Sequence, residues 1–292
     1  MIKGYGIRWS VHPLFVIVML ASIATGYFAE LMSLFAIVLV HELGHVLAAK
    51  SYGWNVREVK LLPFGGVAEV EEAGHVPAKE EIIVALCGPL QNVWMGGVAW
   101  LFGQWGLLPA GWAADLLHAN IMIGLFNMLP ILPLDGGRIA QALLGYKMPF
   151  HMTLVWCARI SLLFSAVMIA YAFYPGTLAN GVQLNALTVG CFLLLSNWTY
   201  LRNVPYVFLR FLTRRDRIAA RLLWRGTVAQ PIVVTGDHTV HKVLRLFMRE
   251  KYHLIYVMES RGLVAAVLPE EKLVDSYLLD GKPGRAVTEL FR

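Results

Sequence analysis

Two histidines four residues apart enclose a glutamate in the run His41-Glu42-Leu43-Gly44-His45. On an α-helix, positions i and i+4 lie one turn apart on the same face, so two imidazole nitrogens there can hold one zinc ion. Glu42 sits beside such a metal and can take the proton from its water. A tetrahedral catalytic zinc needs a third protein ligand and an open position. The sequence offers Asp135, in Asn127-Met128-Leu129-Pro130-Ile131-Leu132-Pro133-Leu134-Asp135-Gly136-Gly137-Arg138, where two prolines and a glycine pair interrupt a helix. Blander readings exist for both motifs. The histidines and glutamate can be a hydrogen-bonded cluster between helices, and Asp135-Gly136 can be a turn.

The elements that must carry these residues are apolar. Of 292 residues, 58% are hydrophobic and 15% charged, against roughly 25% charged in soluble domains. That balance excludes a water-soluble enzyme and a disordered chain. Crossing a bilayer takes about 17 to 25 apolar residues, and six runs qualify: 11–29, 31–49, 82–102, 113–129, 152–173 and 181–201. The first follows Lys3 and Arg8 but is too long for a signal h-region and lacks a cleavage site, so it is read as retained. The HExxH run falls in the second span, where a central charged group costs about 2.5 to 3.5 kcal/mol and is functional by default. The broken segment around Asp135 follows the fourth span. Irregular backbone at membrane depth is tolerated only where it faces protein or a water-filled cavity, which a hydrolytic site requires.

Basic residues orient the spans, because Lys and Arg in short loops stay cytoplasmic. With both termini cytoplasmic, the inner segments hold Lys3, Arg8, Lys50, Arg57, Lys60, Lys79, Arg138 and Lys147, and the outer loops hold no Lys or Arg. Spans two and four then run inward, and His41, His45 and Asp135 converge in the cytoplasmic half. Residues 202–225 contain seven Arg against one acidic residue and read as an amphipathic helix on anionic headgroups, with no direct nucleic-acid partner. From residue 226 the pattern turns soluble. Strands are expected at 231–234, 254–258 and 263–268, and helices at 239–251 and 269–279. The three cysteines, Cys87, Cys157 and Cys191, form no CxxC pair and imply neither a disulfide framework nor a thiolate metal site.

Asn92 and Asn127 are amides inside the apolar runs. They can orient a scissile carbonyl or stabilise its oxyanion, or they can be glue between helices. Residues 59–70, with Leu61-Leu62-Pro63-Phe64-Gly65-Gly66-Val67-Ala68, are apolar but too short to span, and Pro with paired Gly disfavours a helix. A re-entrant hairpin is expected.

HELGH, Gly88-Pro89-Leu90-Gln91-Asn92 and the stretch from Asn127 to Gly136 resemble the three signatures of the site-2 protease family of intramembrane zinc metalloproteases. The six-span form with a small tail is similar to the family's sporulation branch in endospore-forming bacteria. The resemblance implies His41, His45 and Asp135 as zinc ligands, Glu42 as base, and a hairpin near the active site. An edge of that hairpin, at Phe64, Gly65 and Gly66, would capture an extended substrate by strand addition, with Asn92 positioning the substrate and Asn127 in a catalytic role. The implied substrate is a membrane-associated protein cut near the cytoplasmic face, of the class of sigma-factor precursors. Control by membrane-protein inhibitors is implied as well, and in a sporulating cell the location would be the outer forespore membrane. The tail resembles a single cystathionine-β-synthase-type (CBS) domain. Such domains pair and bind adenine nucleotides, which implies ATP at the tail and a homo-oligomer through it.

The expected fold is thus an α-helical polytopic membrane protein of six transmembrane helices and a re-entrant hairpin, plus a small α/β cytoplasmic CBS-like domain. Its parts are 1–201 membrane metalloprotease, 202–225 basic linker and 226–292 regulatory. A divalent-metal transporter or sensor is the rival function. Glu42 beside the ligand pair and the lack of an evident inverted repeat count against it.

Overall fold

The computed structural model describes residues 2–4, 7–11, 19–20, 22–62, 65–70, 76–174, 183–259, 262–280 and 284–291. They form two compact units, 1–139 and 140–292. Four helices are long and apolar enough to cross a membrane: α1 Phe28–Ser51, α2 Ala78–Gln104, α5 Phe150–Ala172 and α6 Leu184–Thr213. Between them lie α3 Ala110–Asn127 and the short α4 Asp135–Gly145. Large apolar side chains such as Leu47, Val93, Trp94, Leu163 and Leu195 stand exposed along these helices, as expected of surfaces whose solvent is lipid.

Three of the helices begin directly after a proline, at Pro77, Pro109 and Pro149. Proline is tolerated there because the first turn has no use for its missing N–H. In α2, Glu80 and Glu81 occupy the first turn, where the helix dipole favours a negative charge. Glu80 also accepts a hydrogen bond from Trp54 Nε1 at 2.9 Å. That contact ties the segment leaving α1 to the start of α2 and helps fix their relative placement.

Unit 1 also holds a four-stranded sheet in the order β1-β2-β3-β4: β1 Ile2–Gly4, β2 Ile7–Val11, β3 Val56–Leu62 and β4 Gly65–Val70. β3 and β4 pair antiparallel with Leu62 opposite Gly65, the hairpin expected at 59–70; Phe64 lies outside the described residues. β2 runs parallel to β3. The first span expected from sequence begins at residue 11 and no element is assigned to the residues before it, although Ile7-Arg8-Trp9-Ser10-Val11 alternates with the period of a strand. Of that expected span, 12–18 and 21 lie outside the described residues, and 19–20 and 22–25 are helical.

Unit 2 builds one core from membrane helices and tail. Phe150 and Leu154 of α5 and Val204, Phe208, Phe211 and Leu212 of α6 are buried in the same cluster as Ile232, Val243, Leu244, Phe247 and Ile255. The tail thus packs on the ends of these helices. It carries a three-stranded sheet, β5 Gln230–Thr235, β6 His253–Met258 and β7 Val264–Pro269, with β5 and β6 parallel and β6 and β7 antiparallel. Helices α8 Val240–Leu244 and α9 Glu270–Leu278 accompany it.

Two expectations change in this unit. The basic joint forms α7, Arg215–Arg225, but Arg215 is 0% exposed and so cannot meet a headgroup. Its Nε and Nη2 donate to Glu270 at 2.8 and 3.0 Å, and Nη1 donates to the carbonyls of Met248 and Arg249 at 3.1 Å each. Nη2 also donates to Lys251 O. The helix expected over 239–251 accordingly stops at Leu244. Met248 N–H, which a continuing helix would give to Leu244 O, goes instead to His253 Nε2 at 3.0 Å, and Arg215 satisfies the carbonyls of Met248 and Arg249.

Candidate metal centre

The continuous apolar helix α1 carries His41, Glu42 and His45 on adjacent turns, as its periodicity requires. Asp135 arrives from elsewhere. Residues 128–134 leave α3 in a series of tight turns, with Ile131 N bonded to Leu129 O and Leu134 N to Ile131 O, and Asp135 is the first residue of α4. The two glycines that follow are required by close approach. A Cβ at Gly136 would lie 2.2 Å from Met128 O, and one at Gly137 2.5 Å from Ile131 O.

Three ligand atoms meet there. His41 Nε2 and His45 Nε2 lie 3.2 Å apart, and Asp135 Oδ2 lies 3.1 Å from the first and 3.2 Å from the second. His41 and Asp135 are buried and His45 half-buried. Each ring's other nitrogen is occupied. His45 Nδ1 donates to the Val84 carbonyl at 2.8 Å and His41 Nδ1 to Asn92 Oδ1 at 2.6 Å. In neutral imidazole this leaves both Nε2 lone pairs facing the carboxylate, three electron-rich atoms with no hydrogen to separate them. Ligands at zinc distances and tetrahedral angles stand about 3.3 Å apart, so the triangle and its N,N,O donor set fit zinc. The two Nδ1 bonds are the outer contacts that orient histidine ligands.

The seat of the triangle is α2. A Cβ at Gly88 would fall 2.2 Å from His45 Nε2 and 2.7 Å from His41 Nε2, so only glycine lets the rings lie against this helix. Gly44 plays the reciprocal part on α1, where a Cβ would meet Cys87 O at 2.6 Å. Glu42 is half-buried and interacts electrostatically with His45, His41, Asp135 and Arg138.

The structure treats the two asparagines differently from the sequence expectation. Asn92 is 3% exposed, with Oδ1 held by His41 and Nδ2 donated to Asn120 Oδ1 at 3.3 Å. Each end of its amide makes one hydrogen bond, and the one at Oδ1 places it as a support for a candidate ligand. Asn127 donates from Nδ2 to the Ile123 carbonyl one turn back on its own helix at 3.1 Å. Asn120 was not singled out from the sequence. The available signal was the one that marked Asn92, a lone amide inside an apolar run.

Comparisons with known proteins agree with this chemistry. The model of Peptidase family M50 matches residues 29–109 and 108–168, which contain all of the candidate ligands. Stage IV sporulation protein FB of Bacillus subtilis is 32% identical over 284 residues, covering 96% of this chain and 94% of that one. A zinc metalloprotease of Methanocaldococcus jannaschii is 28% identical over 239 residues, 80% of this chain and 65% of that one. The solved structure of a site-2 protease from the same archaeon superposes with a TM-score of 0.55 at 27% identity, over 69% of this chain and 94% of the other. The metal-transporter alternative gives way here: this chain belongs to Peptidase family M50 and is an integral-membrane zinc metalloprotease of the site-2 type.

Proposed function

We propose that the chain is an intramembrane endopeptidase that cuts a membrane-associated protein near the cytoplasmic face, with His41, His45 and Asp135 as its zinc ligands and Glu42 as its base. The observation that carries this reading is the triangle of His41 Nε2, His45 Nε2 and Asp135 Oδ2, with edges of 3.1 to 3.2 Å. Zinc held there supplies Lewis acidity to a water and to the scissile carbonyl. Glu42, one residue from His41, takes the proton of the attacking water and returns it to the leaving amide nitrogen, so one carboxylate serves both halves of the reaction. Asn127 closes α3 just before the turns that lead to Asp135; released from the Ile123 carbonyl, its amide would donate to a carbonyl or its oxyanion.

The substrate backbone must be extended to be cut. β4 is an edge strand of its sheet, and an edge offers unpaired N–H and C=O groups for strand addition at Gly65 and Gly66; Phe64, next in sequence, is proposed with them as a substrate contact. A relative is named a stage IV sporulation protein; with the resemblance to the sporulation branch, we take a sigma-factor precursor as the substrate class, the outer forespore membrane as the location and membrane-protein inhibitors as partners. The six-span topology with both termini cytoplasmic, and the division into 1–201 protease, 202–225 basic joint and 226–292 CBS-like regulator, complete the reading. On it, ATP is the ligand to assay at the tail. Val233, Val264 and Val267 on β5 and β7 are exposed and offer apolar surface for a second copy.

Co-expression of wild type or Glu42→Gln with a membrane-associated sigma-factor precursor tests the reading. We expect truncation by wild type and a loss of about 10²- to 10⁴-fold in the variant, with zinc still bound. Equal cleavage by both would remove Glu42 from the mechanism.

A further inference from the structure

We propose that Asn120 is a positioning residue for the metal centre, acting through Asn92 to fix which nitrogen of His41 faces the metal. The inference rests on the reading of His41 as a ligand.

The argument is one of hydrogen-bond direction. Asn120 donates from Nδ2 to the Leu116 carbonyl at 2.9 Å. A backbone carbonyl only accepts, so the NH2 end of Asn120 must face it, and the oxygen end must point the other way. That oxygen faces Asn92 at 3.3 Å, where only a donor is tolerated, so Asn92 turns its NH2 toward Asn120 and its Oδ1 toward His41. Oδ1 then accepts from His41 Nδ1 at 2.6 Å, and the neutral ring keeps its lone pair on Nε2, the atom in the triangle with His45 and Asp135. An amide reads the same shape in either orientation, so Asn92 alone would not choose. The choice is made two residues away, at a carbonyl that cannot donate.

Burial makes the chain obligatory. His41 and Asn92 are each 3% exposed and Asn120 is 2% exposed, so no bulk water can replace a mismatched partner, and an unpaired polar group at membrane depth is costly. The helices are built for the contact. A Cβ at Gly96 would come 3.4 Å from Asn120 Cβ, one at Gly124 3.3 Å from Asn92 Cβ, and one at Gly103 2.7 Å from Ala113 Cβ. Small residues thus let α2 and α3 approach closely enough for their amides to meet.

The test is zinc affinity of the full-length purified chain, measured by competition with a chelator, together with the visible absorption of the Co2+-substituted protein. Asn120→Leu should weaken zinc about 10- to 100-fold, the range for outer partners of histidine ligands, and should shift the Co2+ bands. Asn120→Asp keeps the acceptor for Asn92 but loses the donor to the Leu116 carbonyl, so it should fall between wild type and Asn120→Leu. A carboxylate at position 92 accepts from His41 in either orientation, so in an Asn92→Asp background Asn120→Leu should have little further effect. Plain helix packing would instead make the Leu substitution equally harmful in both backgrounds, and that result, or unchanged affinity in a folded Asn120→Leu, would overturn the proposal. If Asn120→Leu does not fold, Asn120→Ala removes the amide without adding bulk and carries the same expectation. Wild-type zinc affinity in His41→Ala would overturn the underlying ligand reading; loss there with no effect at Asn120 would overturn this inference alone.

Discussion

Near Asp135, two histidine rings turn their Nε2 atoms toward one carboxylate oxygen and toward each other, whereas near Glu270 a histidine and an arginine share a carboxylate and leave nothing over. In the tail, Glu270 Oε1 accepts from Arg215 Nε at 2.8 Å, and Oε2 accepts from Arg215 Nη2, His253 N–H and His253 Nδ1 at 2.8 to 3.0 Å. His253 Nε2 accepts from Met248 N–H, and the ring stacks on Phe247 at 4.7 Å. Each lone pair named there faces a hydrogen, so the cluster is complete as protein. At Asp135 the histidine hydrogens point outward, to Val84 and Asn92, and the lone pairs point inward. Composition does not separate a metal site from a structural ion pair, since both are buried His with a carboxylate. Hydrogen-bond direction does.

That contrast can be broken most severely at Gly88. A Cβ there overlaps His45 Nε2, and a displacement of about 1 Å in a catalytic group costs on the order of 10²-fold in rate. We expect Gly88→Ala to abolish zinc retention and proteolysis while the helical circular dichroism is kept. Full zinc content in the variant would show that the rings are not seated on α2 as described.

Arg215→Met should do the opposite. Removing one partner of a buried ion pair costs about 3 to 5 kcal/mol because the other charge is left unpaired. Denaturant melts should therefore show the C-terminal unit destabilised by that amount, with zinc still bound. A melt unchanged within 1 kcal/mol, about the worth of a surface pair, would demote the cluster to a dispensable contact.

The smallest effect is one of pH. Burial pushes the Glu270 carboxyl up, but hydrogen bonds from His253 and Arg215 more than offset this and hold it below its ordinary value of 4.5. Burial and the adjacent Arg215 charge hold His253 below 6.5 despite its bond to Glu270, as its accepting Nε2 requires. Both folded-state values lie below the unfolded ones. Stability is therefore full above pH 6.5, declines as the unfolded state takes up a proton at His253 below that, and declines again below pH 4.5. We expect the melting temperature of the tail to fall between pH 7.5 and 5.5, with a shallower fall in His253→Gln. Equal slopes in the two proteins would exclude His253 as the titrating group.

Much of the site was legible in the residues. Helical periodicity alone puts His41 and His45 on one face with Glu42 beside them, and hydropathy alone puts that helix in a membrane. The glycine pair after Asp135 marked a break whose need the packing now explains. Less legible were the strands at 2–11, hidden beside an apolar run, and the true length of the helix at 240, since Met248 N–H is taken by His253, a residue beyond the expected helix. The basic stretch 202–225 looked uniform in sequence, yet one arginine of the seven is a core residue.

The local code determined what is local: which residues are helical, which helices are apolar, and that two imidazoles share a turn. Only the tertiary structure decided which carboxylate, ninety residues away, completes the pair, and which of two similar asparagines supports it. Spacing along a helix is fixed by 3.6 residues per turn. Approach between helices is fixed by glycines whose missing side chains matter only against a particular neighbour, and the direction of a hydrogen bond is fixed by its far end. Neither can be read one segment at a time.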